Sequence, residues 1–435
     1  MKPKLTVAVC VWAREGIGGT AKAAVLWAVE LARRGHRVLY LGTPSPRDLA
    51  LAQGNVPRLD LPADAAAFAE FLKAERVDLI HQHVPGWAMH MPTYETLRIL
   101  DNERPRLIET NVFGQLKDPA GDAWVDFRCY ISRASAVQAF DRILRPMNPA
   151  TLAKETVVTY PLAPLDPATQ ARTRRMEIRE ELGVGADELL ILRFGRAGLK
   201  WSKDEVEIFQ QARQRNRRLR MLLMEPREDI WREVEAGQWG EGILLSRMVS
   251  DFDRLAAIYS AGDLMLHMSS IGESFGYTVA EAMQHGLPVI TPSTPWCDNA
   301  QVELVENGVT GMVCSSPEGA LDALLRLADD SSLRRQMGAA AAEKIGQISN
   351  LERETDLLEE LMEHVVHGGP LDKIAERNRQ LLEFQSTFAT RETRVWEEKT
   401  PGLRLAYLRG AAYVAFRRLQ SRIARMIRKA TGRLR

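Results

Sequence analysis

Residues 5–41 read LTVAVCVWAREGIGGTAKAAVLWAVELARRGHRVLYL: an aliphatic run (Leu5–Val11), a glycine-bearing turn, a helical pattern (Ala21–Arg34) and a second aliphatic run (Val38–Leu41). A strand buried on both faces shows such a continuous apolar run, and the helix between two of them supplies a parallel crossover. The alternation goes on with Phe68–Glu75 and Val77–His81, and it predicts right-handed βαβ units around a parallel sheet. The proline-bearing stretch Tyr160–Arg172 (YPLAPLDPATQAR) reads as an interdomain linker. Beyond it strands are predicted at Leu189–Phe194, Met221–Met224, Ile243–Leu245, Leu264–His267 and Pro288–Thr291. Helices are predicted at Asp204–Gln214, Phe252–Ser260 and Thr278–His285, with a closing helical stretch over Pro317–Ile348. The expectation is α/β: two doubly wound, Rossmann-like domains, residues 1–165 and 166–348, facing each other across a cleft. A returning helix (349–367) and a helical extension with a basic amphipathic tail (368–435) follow. Open sheets of this kind bind ligands at the carboxyl ends of their strands, so motifs on the loops leaving those ends are the candidates for function.

With 435 residues and 45% hydrophobic content, the chain can bury two cores without disulfides or metals. The four cysteines (Cys10, Cys129, Cys297, Cys314) have neither CxxC nor metal-ligand spacing and read as reduced thiols of a cytoplasmic protein. No apolar run is long enough to span a membrane. The net charge of +1 is unevenly distributed: residues 402–435 carry ten Lys and Arg and no Asp or Glu, which leaves the preceding residues at −9. In that tail Leu405, Leu408, Ala412, Phe416, Leu419, Ile423 and Met426 recur at helical spacing. Such a helix can lie on an anionic membrane surface, making the protein peripheral at the inner face, or it can pack on the acidic body or on a partner. Nothing else in the chain marks a nucleic-acid-binding fold.

The densest motif is Glu273-Ser-Phe275-Gly276-Tyr277-Thr-Val-Ala-Glu281, followed by Gly286-Leu-Pro288-Val. It predicts a strand, a tight loop and a helix beginning near Tyr277, whose free N–H groups and positive dipole end can hold a diphosphate. Glu273 and Glu281 can each accept hydroxyls of one elongated ligand. A second motif, Phe194-Gly195-Arg196-Ala-Gly-Leu-Lys200-Trp-Ser-Lys203, sends cations into the cleft after a strand. Near the N-terminus Gly16-x-Gly18-Gly19-x-Ala21 also fits a dinucleotide fingerprint, but the following strand Val38–Leu41 lacks the ribose-binding acid, which argues against a nicotinamide cofactor.

Together the two glutamates with seven residues between them, the enclosed Phe-Gly, the Gly-Arg pair and the Gly18-Gly19 opening resemble group 1 (family 4) retaining glycosyltransferases of GT-B fold. The resemblance implies that Arg196 and Lys200 stabilise the leaving diphosphate while Glu273 meets the donor sugar. It also implies that Glu281 holds the ribose, that Gly18, Gly19 and the backbone of Phe275, Gly276 and Tyr277 surround the phosphates, and that the Arg247 loop lies near the base. His83 and Asn111 become candidate contacts for sugar or acceptor. Here Asn111 stands where many members carry a histidine, and the usual Lys-Gly is missing, so either Lys200 or Lys203 could meet the diphosphate. Asp78-Leu-Ile-His81-Gln-His83 resembles the family's His-x-His segment, His36 reads as a turn-capping residue, and Glu303 as a helix cap or surface acid.

The implied activity is transfer of a sugar, with retention, from a UDP- or GDP-sugar to a glycan, lipid-linked or small-molecule acceptor, in cell-surface glycan or glycolipid (polysaccharide) synthesis. The nucleotide sugar is a substrate, and neither a metal nor another cofactor is expected. The alternatives are a GT-B sugar-nucleotide epimerase and a non-catalytic glycosyltransferase-like subunit.

Overall fold

The computed structural model describes residues 4–12, 18–45, 48–84, 92–114, 121, 123–143, 145–165, 172–195, 198, 200–249, 251–294 and 297–397. Arg196, Gly16 and the basic tail 402–435 lie outside the described residues.

The first unit holds β1 (Thr6–Val11), α1 (Gly19–Arg33), β2 (Arg37–Leu41), α2 (Asp48–Gln53), β3 (Arg58–Leu59), α3 (Ala65–Ala74), β4 (Leu79–Val84), α4 (Pro92–Leu100), β5 (Arg106–Asn111), β6 (Phe127–Tyr130), α5 (Arg133–Ile143) and β7 (Glu155–Val157). Its sheet runs β3-β2-β1-β4-β5-β6-β7, and every strand pair is parallel. The order reverses direction between β1 and β4, where Val9 pairs with His81 and Val11 with His83. Helix α1 forms because alanines fill its sheet-facing side (Ala21, Ala24, Ala28) around Trp27 and Leu31, all buried. It stops at Arg34-Gly35, where Gly35 takes φ +91°.

The second unit comprises α6 (Arg172–Glu181), β8 (Leu189–Phe194), α7 (Asp204–Arg215), β9 (Leu219–Met224), α8 (Glu228–Glu235), β10 (Ile243–Ser246), α9 (Phe252–Ala261), β11 (Leu264–Leu266), α10 (Tyr277–Gln284), β12 (Val289–Pro292), α11 (Gln301–Leu304), β13 (Gly311–Cys314), α12 (Pro317–Asp329) and α13 (Ser331–Ile348). The strand order β10-β9-β8-β11-β12-β13 is again all parallel, with its switch point between β8 and β11. The helical stretch over Pro317–Ile348 divides in two at Asp330, whose side chain caps α13 by accepting from the Leu333 N–H at 2.9 Å.

Two further helices, α14 (Leu351–His367) and α15 (Asp372–Glu397), return to the first unit. Arg34 binds Asp356 and Glu359 of α14 at 2.7 and 2.8 Å. His36 is no simple turn cap: its ring joins the Leu5 N–H (3.2 Å) to Glu359 (3.1 Å), fastening α14 to the start of β1. Leu381, Phe384 and Phe388 of α15 bury against Tyr130 and Phe140. The stretch after β7 is packed rather than free at its start, because Tyr160 and Leu162 are core residues and Leu162 N–H donates to Ser349 at 3.1 Å. No helix of the described residues is long and apolar enough to cross a membrane.

Candidate active site

Both switch points deliver a glycine-led helix to the cleft. Helix α1 starts after Gly18 and α10 after Gly276, and neither N-terminus carries a side-chain cap. A glycine at the N-cap brings no capping side chain of its own to those first N–H groups, the arrangement in which a helix end can take up an anion. The two helix ends meet: Gly19 lies so close to the Tyr277 ring that a β-carbon there would stand 2.8 Å from Tyr277 Cδ2. Tyr277 stacks on Tyr160 (5.6 Å between ring centres) and donates its hydroxyl to the Pro161 carbonyl at 2.9 Å. Phe275 packs edge-on against both rings.

The loop between β11 and α10 needs its glycines. Gly276 takes φ +98°, and Gly272 takes φ +64° with the Asp298 carbonyl where a β-carbon would go, 1.6 Å away. This turn brings Glu273 back under the loop that follows β8. Both carboxylate oxygens of Glu273 are engaged, one by the Lys200 ammonium and the other by His267 Nε2 at 3.0 Å. Burial alone would raise this carboxyl, but the Lys200 charge and the His267 bond outweigh it and hold it down at about 2. Glu273 is thus an anion fixed in direction at neutral pH. Lys203 faces elsewhere and pairs with Glu233 of α8. Of the two lysines, the structure brings Lys200 to Glu273.

Glu281 is held by Lys22 of α1, reaching across from the first unit, and by the Tyr259 hydroxyl at 2.8 Å. Lys22 also lies 5.2 Å from the Phe252 ring centre and 5.3 Å from that of Tyr277. Arg247, after β10, is exposed on the rim; its guanidinium lies 3.7 Å from the Trp231 ring centre and 3.9 Å from Glu228. On the opposite wall, His83 and Asn111 are buried at the ends of β4 and β5. The His81 and His83 rings lie 4.5 Å apart, each 5.6 Å from Trp27. Burial drives His81 down to about 3 and His83 well below its ordinary value, so both rings stay neutral and neither supplies a cation.

Glu303 proves to be a cap that crosses between the units. It accepts from the Ala134 N–H (2.9 Å) at the start of α5 and from Arg133 Nε (2.8 Å). Sequence reasoning missed Lys22, Tyr259, Arg193 and His267. The one available signal was charge inside an apolar strand: Arg193 interrupts LLILRF, yet it is fully buried. Lys22 sits on a surface-like helical position, and only the meeting of the two units reveals its partner.

Residues 189–330 match the sequence profile of the family described as Glycosyl transferases group 1. The chain is 22% identical over 372 residues to the N-acetyl-alpha-D-glucosaminyl L-malate synthase of Bacillus anthracis, a match covering 76% of this chain and 89% of that one. Among solved structures, a glycosyltransferase from Rickettsia africae superposes with a TM-score of 0.69 at 16% identity, covering 85% of this chain and all (100%) of the other. The Anabaena protein HepE, solved in complex with UDP-glucose, gives 0.64 at 16% identity, covering 82% and 99%. Residues 189–330, the second sheet with its helices, thus resemble the group 1 glycosyltransferases in sequence, and the whole two-sheet fold is one that solved glycosyltransferases share.

Proposed function

We propose that the cleft binds a UDP- or GDP-sugar and that the enzyme transfers the glycosyl group with retention of configuration. The observation carrying this reading is the pairing of two uncapped helix N-termini, α1 and α10, with Glu273 and Glu281 on either side of the second. A diphosphate at these helix ends would accept backbone N–H bonds and sit at the positive ends of both dipoles. Glu281 would exchange its Tyr259 and Lys22 partners for ribose hydroxyls, and Lys22 would then face the phosphates. Glu273 would orient the donor sugar. Lys200 and Arg196 would neutralise the charge that grows on the diphosphate as the glycosidic bond breaks. UDP-glucose in the HepE complex supports a nucleotide sugar as the ligand class.

Asn111 occupies the place of a family histidine, and its amide can donate or accept a hydrogen bond but cannot take up a proton as a base. Retention is compatible with it when the leaving diphosphate itself takes the acceptor's proton, so that no side-chain base is required. The acceptor would enter from the side of β4 and β5, past His83 and Asn111. The basic tail would keep the enzyme near an anionic membrane where a glycolipid or polysaccharide intermediate is extended.

Proton NMR of the protein incubated with a panel of UDP- and GDP-sugars tests this reading. The expected result is slow release of sugar from one donor, with the donor's own anomer appearing first. First appearance of the opposite anomer would refute retention, and no turnover with any donor, even with candidate lipid and glycan acceptors added, would refute the transferase reading of this cleft.

A further inference from the structure

Arg193 stands on β8 with none of its side chain exposed. Its Nε donates to Glu205 Oε1 at 2.6 Å, forming an ion pair that is wholly buried at both ends. One terminal nitrogen donates to the Lys200 carbonyl at 2.9 Å, and the guanidinium lies 4.2 Å from the Trp201 ring centre. Trp201 in turn donates its indole N–H to the Gly195 carbonyl at 3.2 Å. The other terminal nitrogen contacts the Phe194 carbonyl and His267 Nδ1, the latter at 3.2 Å. A folded chain hides a charge pair this completely only at a cost in desolvation, and α/β sheets are routinely built with apolar residues at such positions. The arrangement therefore calls for a reason other than stability.

That reason lies in the direction of one proton. A guanidinium only donates, so His267 Nδ1 must accept and the ring proton must sit on Nε2. Nε2–H then donates to Glu273 Oε1 at 3.0 Å. Burial first, and then the Arg193 charge, hold the His267 ring down at about 4, so it is neutral under ordinary conditions. Glu205 completes the frame: the oxygen that takes Arg193 Nε also accepts the Met268 N–H at 2.8 Å, fixing the chain on the C-terminal side of His267.

We propose that Arg193 and His267 are positioning residues for the transfer reaction: Arg193 sets the tautomer of His267, whose Nε2–H aims the Glu273 carboxylate, while the same guanidinium holds the loop that carries Lys200. One buried cation thus fixes both members of the Lys200–Glu273 pair. The inference rests on the reading of Glu273 as the donor-sugar ligand.

The test compares His267→Gln, His267→Asn and His267→Leu with wild type in the full chain. Glu273→Gln is the control for the donor-site reading. Donor turnover (kcat and KM), binding of the free nucleoside diphosphate and the melting temperature are measured for each. Gln can accept from Arg193 and donate to Glu273, so it should keep turnover within about threefold of wild type, whereas loss of Glu273 alignment in the Leu variant should lower kcat about 100-fold. Binding of the nucleoside diphosphate should stay unchanged in all three, because the helix ends and Glu281 are untouched. Asn is too short to span both partners, and its loss of kcat with an unaltered melting temperature would support the positioning role equally well if the Leu variant does not fold. Equal kcat in the Gln, Asn and Leu variants, with Glu273→Gln inactive, would overturn the positioning role while leaving the donor site intact. Wild-type turnover in Glu273→Gln would overturn the donor-site reading, and the proposal with it.

Discussion

Lys200 and Lys203 are three residues apart in one loop, and spacing alone gives both an equal claim on the diphosphate. Their partners separate them. Lys203 is neutralised by Glu233 on α8, while Lys200 extends over Glu273 inside the cleft. Removing a preorganised cation from a developing negative charge costs about 3 kcal/mol, so Lys200→Ala should lower kcat by 10²–10³-fold, roughly, and Lys203→Ala by less than about twofold. Steady-state donor turnover decides between them, and an equal loss in both variants would contradict the assignment. The sequence exposes residues whose chemistry is local. Glu273, Gly276 and Glu281 fall in one short stretch because a strand, a tight turn and a helix bring them together without help from the rest of the chain. The Lys22 and Arg193 contacts are long-range, one spanning the two units and the other joining β8 to the far side of β11, and no local pattern encodes them.

The elements that shape the site are helix ends. Helices α1 and α10 leave their first N–H groups uncapped, whereas α5 is capped by Glu303, which belongs to the other unit. That cap does two things: it satisfies the Ala134 N–H and it ties the units together beside the Ser132 hydroxyl, which donates to the Ser274 carbonyl at 2.7 Å. Glu303→Ala should therefore destabilise the fold by about 1–3 kcal/mol, the cost of an unsatisfied buried donor and a lost charge-assisted bond. A denaturant titration reads the change, and a midpoint equal to wild type would show that the cap is dispensable. The strands and long helices are legible in the sequence because parallel strands buried on both faces read as plain apolar runs. Strands β3, β5, β6, β7 and β13 are not: β3 is only two residues long (Arg58–Leu59) and β13 only four (Gly311–Cys314), and charged or polar residues interrupt β5 (Arg106, Glu109), β6 (Arg128) and β7 (Glu155). The break between α12 and α13 has a local cause, the Asp330 cap, which the alanine- and leucine-rich composition around it obscures.

Across the whole molecule, several histidines are buried in a neutral state. Burial, the leading cause in each case, holds His81 at about 3 and His267 and His285 at about 4, below the ordinary 6.5. The unfolded chain takes up protons at these rings below about pH 6.5, and the folded chain refuses them until nearer pH 4. Stability must then fall with pH through that window, by about 1.4 kcal/mol per pH unit for each fully buried ring. The Glu273 carboxyl, depressed to about 2, adds to the same trend from about pH 4.5 downwards. Thermal melts between pH 7.5 and 4.5 (roughly the span of these shifts) should show a steadily falling midpoint, and a flat profile would contradict the buried neutral rings. The meeting of the two units through Lys22 and Glu281, Gly19 and Tyr277, and Arg133 and Glu303 makes the cleft a joint product of both sheets. Everything proposed for this cleft depends on its holding a nucleoside diphosphate against two helix ends with Glu281 on the ribose. Calorimetric titration of UDP and GDP into wild type and Glu281→Ala puts that binding mode to the test. One of the two nucleotides should bind at a single site, weakened about 10- to 100-fold in the variant by loss of a charge-assisted hydrogen bond. Equal affinity in Glu281→Ala, or no binding of either nucleotide to the wild type, would overturn the binding mode.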